Sequence, residues 1–369
     1  MRIYAIPLVP GPTTVPAEVR AAYQEDYGSA DLEPEYYELY AETQDMLRAI
    51  LGTRNAMVIM TGEAMVVLWG ALKSTLRPGD RVVAVATGVF GYGIAEMARS
   101  VGAEVEVVGF DFDEAADPQR VEEAIRRVRP KMVTMVHCET PSGTLNPVAE
   151  VGDLVARYDV PLFYVDAVSS AAGVPLQVDA WHIDLCLVGT QKCLSALPDL
   201  GIVAVSERAW RIVQEVGYVG YDALAPFRAA LEERWFPYTP SWHAMAALNI
   251  ACRRVLRGGL ENVFRRHAEV AAYCRDRLKA MGLRLFPRRE EWSSPTVTAV
   301  YVPEGLPWPE LDRRLRERGM AVGGSLGPLA GRVFRIGHMG AQADRDLVGR
   351  GMDVLEEVLR EAGVGSPRR

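Results

Sequence analysis

Short apolar runs alternate with longer amphipathic runs between about residues 56 and 205. Several of the short runs are apolar throughout, which is typical of strands buried on both faces of a parallel sheet. Strands are predicted at residues 56–60, 81–86, 104–108, 132–137, 161–165, 184–188 and 202–205. Helices are predicted between them at residues 64–75, 92–101, 117–127 and 148–158. This alternation predicts an α/β fold in which a mostly parallel, seven-stranded sheet is flanked by helices.

The pattern changes after about residue 238, where longer helical runs replace the alternation. Helices are predicted there at residues 242–256, 260–281, 308–318 and 342–362, with short strands at 283–286, 297–302 and 333–336. At the other end of the chain, Pro10-Gly11-Pro12-Thr13 is too rich in turn residues to belong to the sheet. We therefore expect a large α/β domain over residues 14–240 and a smaller α+β domain formed by residues 1–13 and 241–369.

Composition narrows the class of protein. The chain has 369 residues, of which 49% are hydrophobic and 24% charged, as in ordinary globular proteins. Its net charge of −7 argues against a nucleic-acid partner, because general nucleic-acid binding needs a basic face. The apolar runs are too short for a membrane span, and the N-terminal residues lack the layout of a signal peptide. We expect a cytoplasmic protein with no membrane association.

Two residue counts bear on chemistry. The five cysteines form no CxxC pair, so we expect buried free thiols and no metal site. The chain has 37 arginines but only four lysines, and this preference for arginine singles out each lysine as a candidate for amine chemistry. The cysteines are Cys138, Cys186, Cys193, Cys252 and Cys274, and the lysines are Lys73, Lys131, Lys192 and Lys279.

Polar residues follow the predicted strands, where the ligands of an open parallel sheet bind. Asp166 comes directly after an apolar run, so its carboxylate either meets a cation, shifts its pKa or caps a helix. Lys192 ends the turn Gly189-Thr190-Gln191-Lys192 after the next strand. A lysine buried near other cations has a lowered pKa and is nucleophilic, whereas one that reaches solvent is not.

The segment Thr61-Gly62-Glu63-Ala64-Met65 lies between a strand and a helix. Backbone N–H groups at such a helix start can bind an anion, although an ordinary turn has the same pattern. Since no GxGxxG motif occurs here, a nicotinamide-dependent dehydrogenase is not favoured. A carboxylate at one strand end, a lysine after a later strand and an anion site at another together suit pyridoxal 5′-phosphate. His137, after another strand, is interpreted as structural.

The motifs together resemble the class V, fold-type I aminotransferases that depend on pyridoxal 5′-phosphate, of the alanine–glyoxylate and serine–pyruvate type. The resemblance covers nearly the whole chain. Its motifs are Pro10-Gly11-Pro12-Thr13, Thr61-Gly62-Glu63-Ala64, Gly88-Val89-Phe90-Gly91, Glu139-Thr140-Pro141-Ser142-Gly143, Asp166-Ala167-Val168-Ser169-Ser170, Gly189-Thr190-Gln191-Lys192 and Phe334-Arg335-Ile336-Gly337.

The resemblance implies a role for each matching residue around the cofactor ring. Lys192 is the catalytic residue that forms a Schiff base with the cofactor aldehyde. Asp166 pairs with the pyridinium nitrogen, and Val168 packs against one face of the ring. Phe90 stacks on the other face, and Thr140 forms a hydrogen bond near the 3-oxygen.

The resemblance also implies a phosphate site, a substrate site and an oligomeric state. Glu63, Ala64, Met65 and Gln191 hold the phosphate, and Thr239 reaches it from a partner subunit, so a homodimer with the site at its interface is expected. Arg335 binds the carboxylate of a small amino acid or 2-oxo acid, because a guanidinium grips both oxygens in one plane. The substrate-binding residues also include Gly11 and Tyr27.

Ping-pong transfer from alanine or serine to glyoxylate or pyruvate is the function that the resemblance implies, and another small amino donor remains an alternative. A class V lyase or desulfurase is a second alternative, which Phe90 disfavours because desulfurases stack a histidine there. A binding module without catalysis is a third. Three departures from the family pattern concern the phosphate and substrate positions. They are Thr61-Gly62-Glu63-Ala64 in the phosphate loop with Trp69 in the helix after it, Phe236 in place of a tyrosine, and the stretch Tyr27-Gly28-Ser29-Ala30-Asp31.

Overall fold

The computed structural model describes residues 3–364, so Met1, Arg2 and residues 365–369 of the expected small domain lie outside the described part. Its strands are β1 (Ile6–Pro7), β2 (Ala56–Thr61), β3 (Arg81–Ala86), β4 (Glu104–Gly109), β5 (Met132–Val136), β6 (Cys138–Glu139), β7 (Thr144–Leu145), β8 (Leu162–Asp166), β9 (Leu185–Gly189), β10 (Leu200–Val205), β11 (Val297–Tyr301), β12 (Met320–Ala321), β13 (Gly323–Gly324) and β14 (Val333–Gly337). Its α-helices are α1 (Ala17–Ala21), α2 (Pro34–Leu51), α3 (Met65–Thr75), α4 (Val89–Ser100), α5 (Pro118–Val128), α6 (Val148–Arg157), α7 (Glu207–Val216), α8 (Trp242–Arg257), α9 (Leu260–Ala280), α10 (Trp308–Glu317) and α11 (Arg345–Glu361).

The central sheet has seven strands in the order β2-β10-β9-β8-β5-β3-β4. Strand β10 runs antiparallel to both of its neighbours, and the other pairs are parallel. Every residue of β5, β8, β9 and β10 is buried, because helices cover both faces of the sheet. The predicted α/β fold with a mostly parallel sheet of seven strands is confirmed.

Two central strands lie one residue later than the sequence predicts. Strand β8 ends at Asp166 and β9 ends at Gly189, so Asp166 is the last residue of its strand. The ladder extends because Val136 pairs with Asp166 and the His137 N–H donates to the Asp166 carbonyl oxygen. Asp184 precedes β9, where its carboxylate accepts the Phe163 N–H. Asp166 therefore lies at the carboxyl end of β8, inside the sheet and not in the turn after it.

The C-terminal elements form a second layer around a three-stranded sheet of order β11-β14-β13. A separate apolar cluster lies between this sheet and helices α9, α10 and α11. Strand β1 pairs in parallel with β12, which ties the N-terminal segment to this layer. Helix α8 instead packs against α2, and its buried face joins the apolar cluster of the central sheet. The predicted strand at 283–286 is reduced to a single bridge between Leu285 and Val300.

No helix in the described part of the chain is both long enough and apolar enough to cross a bilayer.

Candidate active site

A cavity of about 250 Å³ opens where β8 and β9 end and α3 begins. Ten of the predicted site residues line it: Gly11, Glu63, Ala64, Met65, Phe90, Thr140, Asp166, Val168, Gln191 and Lys192. The other three, Tyr27, Thr239 and Arg335, are not among its lining residues. We call the part around Lys192, Asp166, Val168 and Phe90 the lysine side, and residues 61–66 with Gln191 the loop side.

The lysine side is organised around the amine of Lys192. Its Nζ donates a hydrogen bond of 2.7 Å to the Pro10 carbonyl oxygen. Burial and, to a smaller extent, the positive charge of Arg335 together lower the pKa of Lys192 to about 8. Gly11 has φ of +98°, and a Cβ there would lie 2.6 Å from the amine, so this position requires glycine. The amine is therefore a base near neutral pH.

Asp166 faces the same cavity from the neighbouring strand. One of its carboxylate oxygens accepts the Val168 N–H at 2.9 Å. Burial raises the pKa of Asp166 to about 6, although the Val168 hydrogen bond and the Lys192 charge favour the ionised form. No salt bridge satisfies this carboxylate among the described residues. It is available to a cationic or N–H-bearing ligand group.

A buried carboxylate that sequence analysis did not assign, Glu139, positions Phe90. It accepts the N–H groups of Phe90 at 3.1 Å and Gly91 at 2.7 Å, at the start of α4. Burial raises the pKa of Glu139 to about 7. Glu139 is part of a quoted motif, but only the fold shows that its partner lies 49 residues earlier in the chain.

Arg335, in β14, borders the lysine side through the backbone of Thr140. Its guanidinium donates to the carbonyl oxygens of Gly324 at 2.9 Å and Thr140 at 3.4 Å. No carboxylate pairs with it among residues 3–364, and burial lowers its pKa to about 10. A buried guanidinium without an anionic partner is suited to bind a carboxylate ligand.

On the loop side, the Glu63 carboxylate occupies the start of helix α3. One oxygen accepts the Met65 N–H at 2.8 Å, and the other accepts the Gln191 side-chain N–H at 3.4 Å. The side-chain oxygen of Gln191 is buried and has no hydrogen-bond partner among the described residues. The Met65 N–H and the Gln191 side-chain N–H are therefore already engaged by an acid of the chain itself.

The neighbouring backbone N–H groups of the loop also have acceptors within the chain. The Thr61 N–H donates to the Tyr238 hydroxyl at 3.2 Å, and the Gly62 N–H donates to the Asp199 carbonyl oxygen at 2.7 Å. The Val66 N–H donates to the Glu63 carbonyl oxygen at 2.9 Å. Four of the six N–H groups from residue 61 to 66 are thus already bonded.

The residues expected near the phosphate and the entrance have other contacts within the chain. The Thr239 hydroxyl donates to the Asp31 carboxylate at 2.8 Å. Tyr27 stacks on Trp242 with ring centroids 5.6 Å apart. Phe236 is buried in an aromatic cluster with Tyr36, Tyr37 and Tyr40. The Tyr238 hydroxyl, two residues later, is the one that reaches the loop.

Sequence analysis missed several lining residues, which are Pro12, Leu68, Cys138, Ser169 and Pro198. Ser169 is hydrogen-bonded to the Thr140 hydroxyl. Cys138 donates to the Ser294 hydroxyl at 3.1 Å, and burial raises its pKa to about 11, so the thiol is protonated at neutral pH. All five cysteines are buried and free, as expected. Ser169 and Cys138 could have been found from the motif around Asp166 and from the strand end at His137.

Comparison with known proteins identifies the family of the chain. The model of the family Aminotransferase class-V matches residues 8–331. The chain is 32% identical to an alanine–glyoxylate aminotransferase of Callithrix jacchus, over 98% of this chain and 88% of that one. It is 33% identical to a pyridoxamine–pyruvate transaminase of Mesorhizobium japonicum, over 90% and 86%. The structure of ureidoglycine–glyoxylate aminotransferase from Bacillus subtilis matches with a TM-score of 0.95 at 31% identity, covering 100% of this chain and 96% of that one. The chain therefore belongs to the class V aminotransferases, a family that depends on pyridoxal 5′-phosphate, and is an aminotransferase.

Proposed function

We propose that this protein transfers an amino group between a small amino compound and a small 2-oxo acid, with the pyridine ring of a vitamin B6 compound bound on the lysine side. One observation carries the proposal. The Lys192 amine and the Asp166 carboxylate lie at the ends of adjacent strands and line one cavity, with Val168 and Phe90 beside them. Glyoxylate and pyruvate are the proposed acceptors, as in the names of the relatives, and alanine and serine are the first donors to test.

The lysine side fits a pyridine ring. Asp166 has an unpaired buried carboxylate that would bind a protonated ring nitrogen, and this contact would in turn lower the pKa of Asp166. Phe90 and Val168 supply apolar surface for the two ring faces. When bound, the ring supplies an electron sink for the carbanion formed at the reacting carbon.

Lys192 would move the proton. Its Nζ can take a proton from the carbon that bears the amine, since a pKa near 8 leaves a substantial neutral fraction at physiological pH. The Pro10 carbonyl oxygen, 2.7 Å away, holds the amine in place before substrate binds. The same amine can return the proton to the second carbon.

Arg335 would orient the oxo acid. Its guanidinium is held by two backbone carbonyl oxygens and lacks a carboxylate partner among the described residues, so a substrate carboxylate can pair with it. Its hydrogen bond to the Thr140 carbonyl oxygen supports a pairing at the edge of the lysine side. A volume of about 250 Å³ suits small substrates.

The proposal includes a homodimer. Large apolar side chains are exposed at Met65, which belongs to the loop side, and at Val219, Tyr221 and Trp235. Tyr221 stacks on the ring of Tyr238, whose hydroxyl accepts the Thr61 N–H on the loop side. A second copy that covers this surface would complete the site. Sedimentation should give a dimer, and Trp235→Asp should shift it toward monomer with loss of activity.

The test of the transfer uses borohydride trapping and a substrate screen. Wild-type protein with pyridoxal or its phosphate is reduced, digested and weighed, and we expect the mass tag on Lys192. Lys279→Ala, in an exposed ion pair, is the matched control and should keep the tag. Alanine and serine are then assayed with glyoxylate and pyruvate. A tag on another lysine, or none, rejects the proposal.

The same assay tests the desulfurase alternative. Burial raises the pKa of both Cys138 and Cys193, so neither thiol is a ready nucleophile in this structure. We therefore expect no sulfide from cysteine. Sulfide release at a rate above amino transfer would favour the lyase reaction over the proposed one.

A further inference from the structure

The loop side does not fit a phosphate group, and from this disagreement we infer that the protein binds the unphosphorylated forms of vitamin B6, pyridoxamine and pyridoxal, as exchangeable substrates in preference to their 5′-phosphates. The inference rests on the proposed function, because it concerns the side arm of the ring that Lys192 and Asp166 would bind. It differs from the expectation that Glu63, Ala64, Met65 and Gln191 form a phosphate cradle.

The first reason is the use of the backbone donors. A phosphate needs free N–H groups at the start of a helix. Here the Met65 N–H donates to the Glu63 carboxylate, and the Thr61, Gly62 and Val66 N–H groups donate to other acceptors of the chain. Displacing Glu63 to admit a phosphate would break two hydrogen bonds, since it also accepts from Gln191.

The second reason is charge. Among the residues that line the cavity, the acids are Glu63 and Asp166 and the one base is Lys192. A phosphate monoester carries nearly two negative charges at neutral pH and would lie beside the Glu63 carboxylate. Like charges at close range are unfavourable, and more so where water is partly excluded. A hydroxymethyl arm adds no charge.

The third reason is that the side chains of the loop side present hydrogen-bond acceptors to a ligand. The Glu63 carboxylate only accepts, and the buried side-chain oxygen of Gln191 is an acceptor with no partner among the described residues. A hydroxyl donates a proton to such acceptors, whereas a phosphate dianion cannot. Thr239, whose hydroxyl would otherwise donate, is already bonded to the Asp31 carboxylate.

The group transfer then balances with the vitamin as substrate. The amine of pyridoxamine condenses with the carbonyl carbon of a 2-oxo acid and releases one water. A proton moves from the carbon next to the ring to the former carbonyl carbon, with Lys192 as the carrier. One water then hydrolyses the C=N bond, giving pyridoxal and an amino acid. No oxidant or other co-reactant is required.

The decisive experiment measures binding rather than turnover. Pyridoxamine and pyridoxamine 5′-phosphate differ only in the arm, and isothermal titration calorimetry gives a Kd for each. For the wild type, we expect pyridoxamine to bind at least tenfold more tightly. Glu63→Gln removes the charge at constant size, and it should shift the ratio of the two Kd values at least tenfold toward the phosphate. Glu63→Asp keeps the charge and should retain the preference.

A matched control and the opposing outcomes complete the test. Glu357→Gln removes one exposed acid from α11 and should leave both Kd values unchanged. Tighter binding of the phosphate by the wild type, or an unchanged ratio in Glu63→Gln, overturns the inference. The proposed function survives that result if borohydride still places pyridoxal or its phosphate on Lys192. Absence of any adduct on Lys192 would instead reject the proposed function itself.

Discussion

The lysine side and the loop side of the cavity differ in whether their charged groups have partners within the chain. On the lysine side, Asp166 and Arg335 are buried without a salt-bridge partner in the described chain, and burial shifts their pKa values toward the neutral forms. On the loop side, the Glu63 carboxylate accepts the Met65 N–H and the Gln191 side-chain N–H, so both of its oxygens already have donors within the chain. A binding site stores unsatisfied charge where a ligand must supply the partner. The contrast therefore locates ligand charge on the lysine side.

Removing the amine should have the largest effect. Lys192→Ala deletes the proposed proton carrier, so we expect the transfer rate to fall about a thousandfold. Ring binding should persist, since Asp166 and Phe90 remain. Single-turnover rates and the Kd for pyridoxamine separate the two effects. A variant with full activity would show that Lys192 does not carry the proton.

Asp166→Asn tests the cost of the unpaired carboxylate. The folded-state pKa of about 6 lies above the ordinary 3.8, so the ionised group destabilises the ligand-free fold as pH rises from about 4 to 6. A shift of this size corresponds to roughly 3 kcal/mol. Asparagine keeps the oxygen that accepts the Val168 N–H, so Asp166→Asn should be more stable at pH 7 and no more stable at pH 3.5. Urea unfolding at both pH values measures the difference.

The expected gain in stability of Asp166→Asn should be accompanied by a loss of function. Asp166→Asn should lose ring binding and transfer activity while its midpoint of unfolding rises. An Asp166→Asn variant that is both less stable and fully active would contradict the assignment of this carboxylate to the ring nitrogen.

Arg335→Ala should affect the oxo acid more than the reaction step. Losing a charge-assisted pairing to the substrate carboxylate should raise KM roughly 10- to 100-fold, with a smaller change in kcat. It should also raise the pKa of the Lys192 amine, because a neighbouring positive charge is gone. Initial rates at varied glyoxylate or pyruvate concentration give KM and kcat. The pH dependence of Lys192 acylation gives the pKa of the amine. An unchanged KM would place the carboxylate site elsewhere.

The smallest effect is expected on the loop side. Tyr238→Phe removes the hydroxyl that accepts the Thr61 N–H, so the free energy of unfolding should fall by about 1 kcal/mol. Transfer should change less than about threefold, since no ligand charge depends on this bond. Thermal unfolding and initial rates provide the two readouts. A large loss of activity with unchanged stability would mean that this hydroxyl contacts the ligand.

The sequence by itself determined where along the chain the reactive side chains lie. Apolar runs predicted the parallel strands, and the positions after them contained Asp166 and Lys192, because strands buried on both faces leave chemistry only at their ends. Glu63 was visible as an acid in a loop expected to bind an anion. These inferences depend only on local pattern and on residue type.

Tertiary structure alone decided which groups are already satisfied. The Glu139 carboxylate meets α4 across 48 and 49 residues, Arg335 reaches Thr140 across 195, and Lys192 reaches Pro10 across 182. Hydrogen bonds between such distant positions leave no periodic signal in the sequence. Whether a buried group is free for a ligand depends on every neighbour that the fold brings to it. For Glu63 those neighbours are the Met65 N–H and the Gln191 amide, and this contact set is the basis of the proposal that the loop side binds a neutral arm.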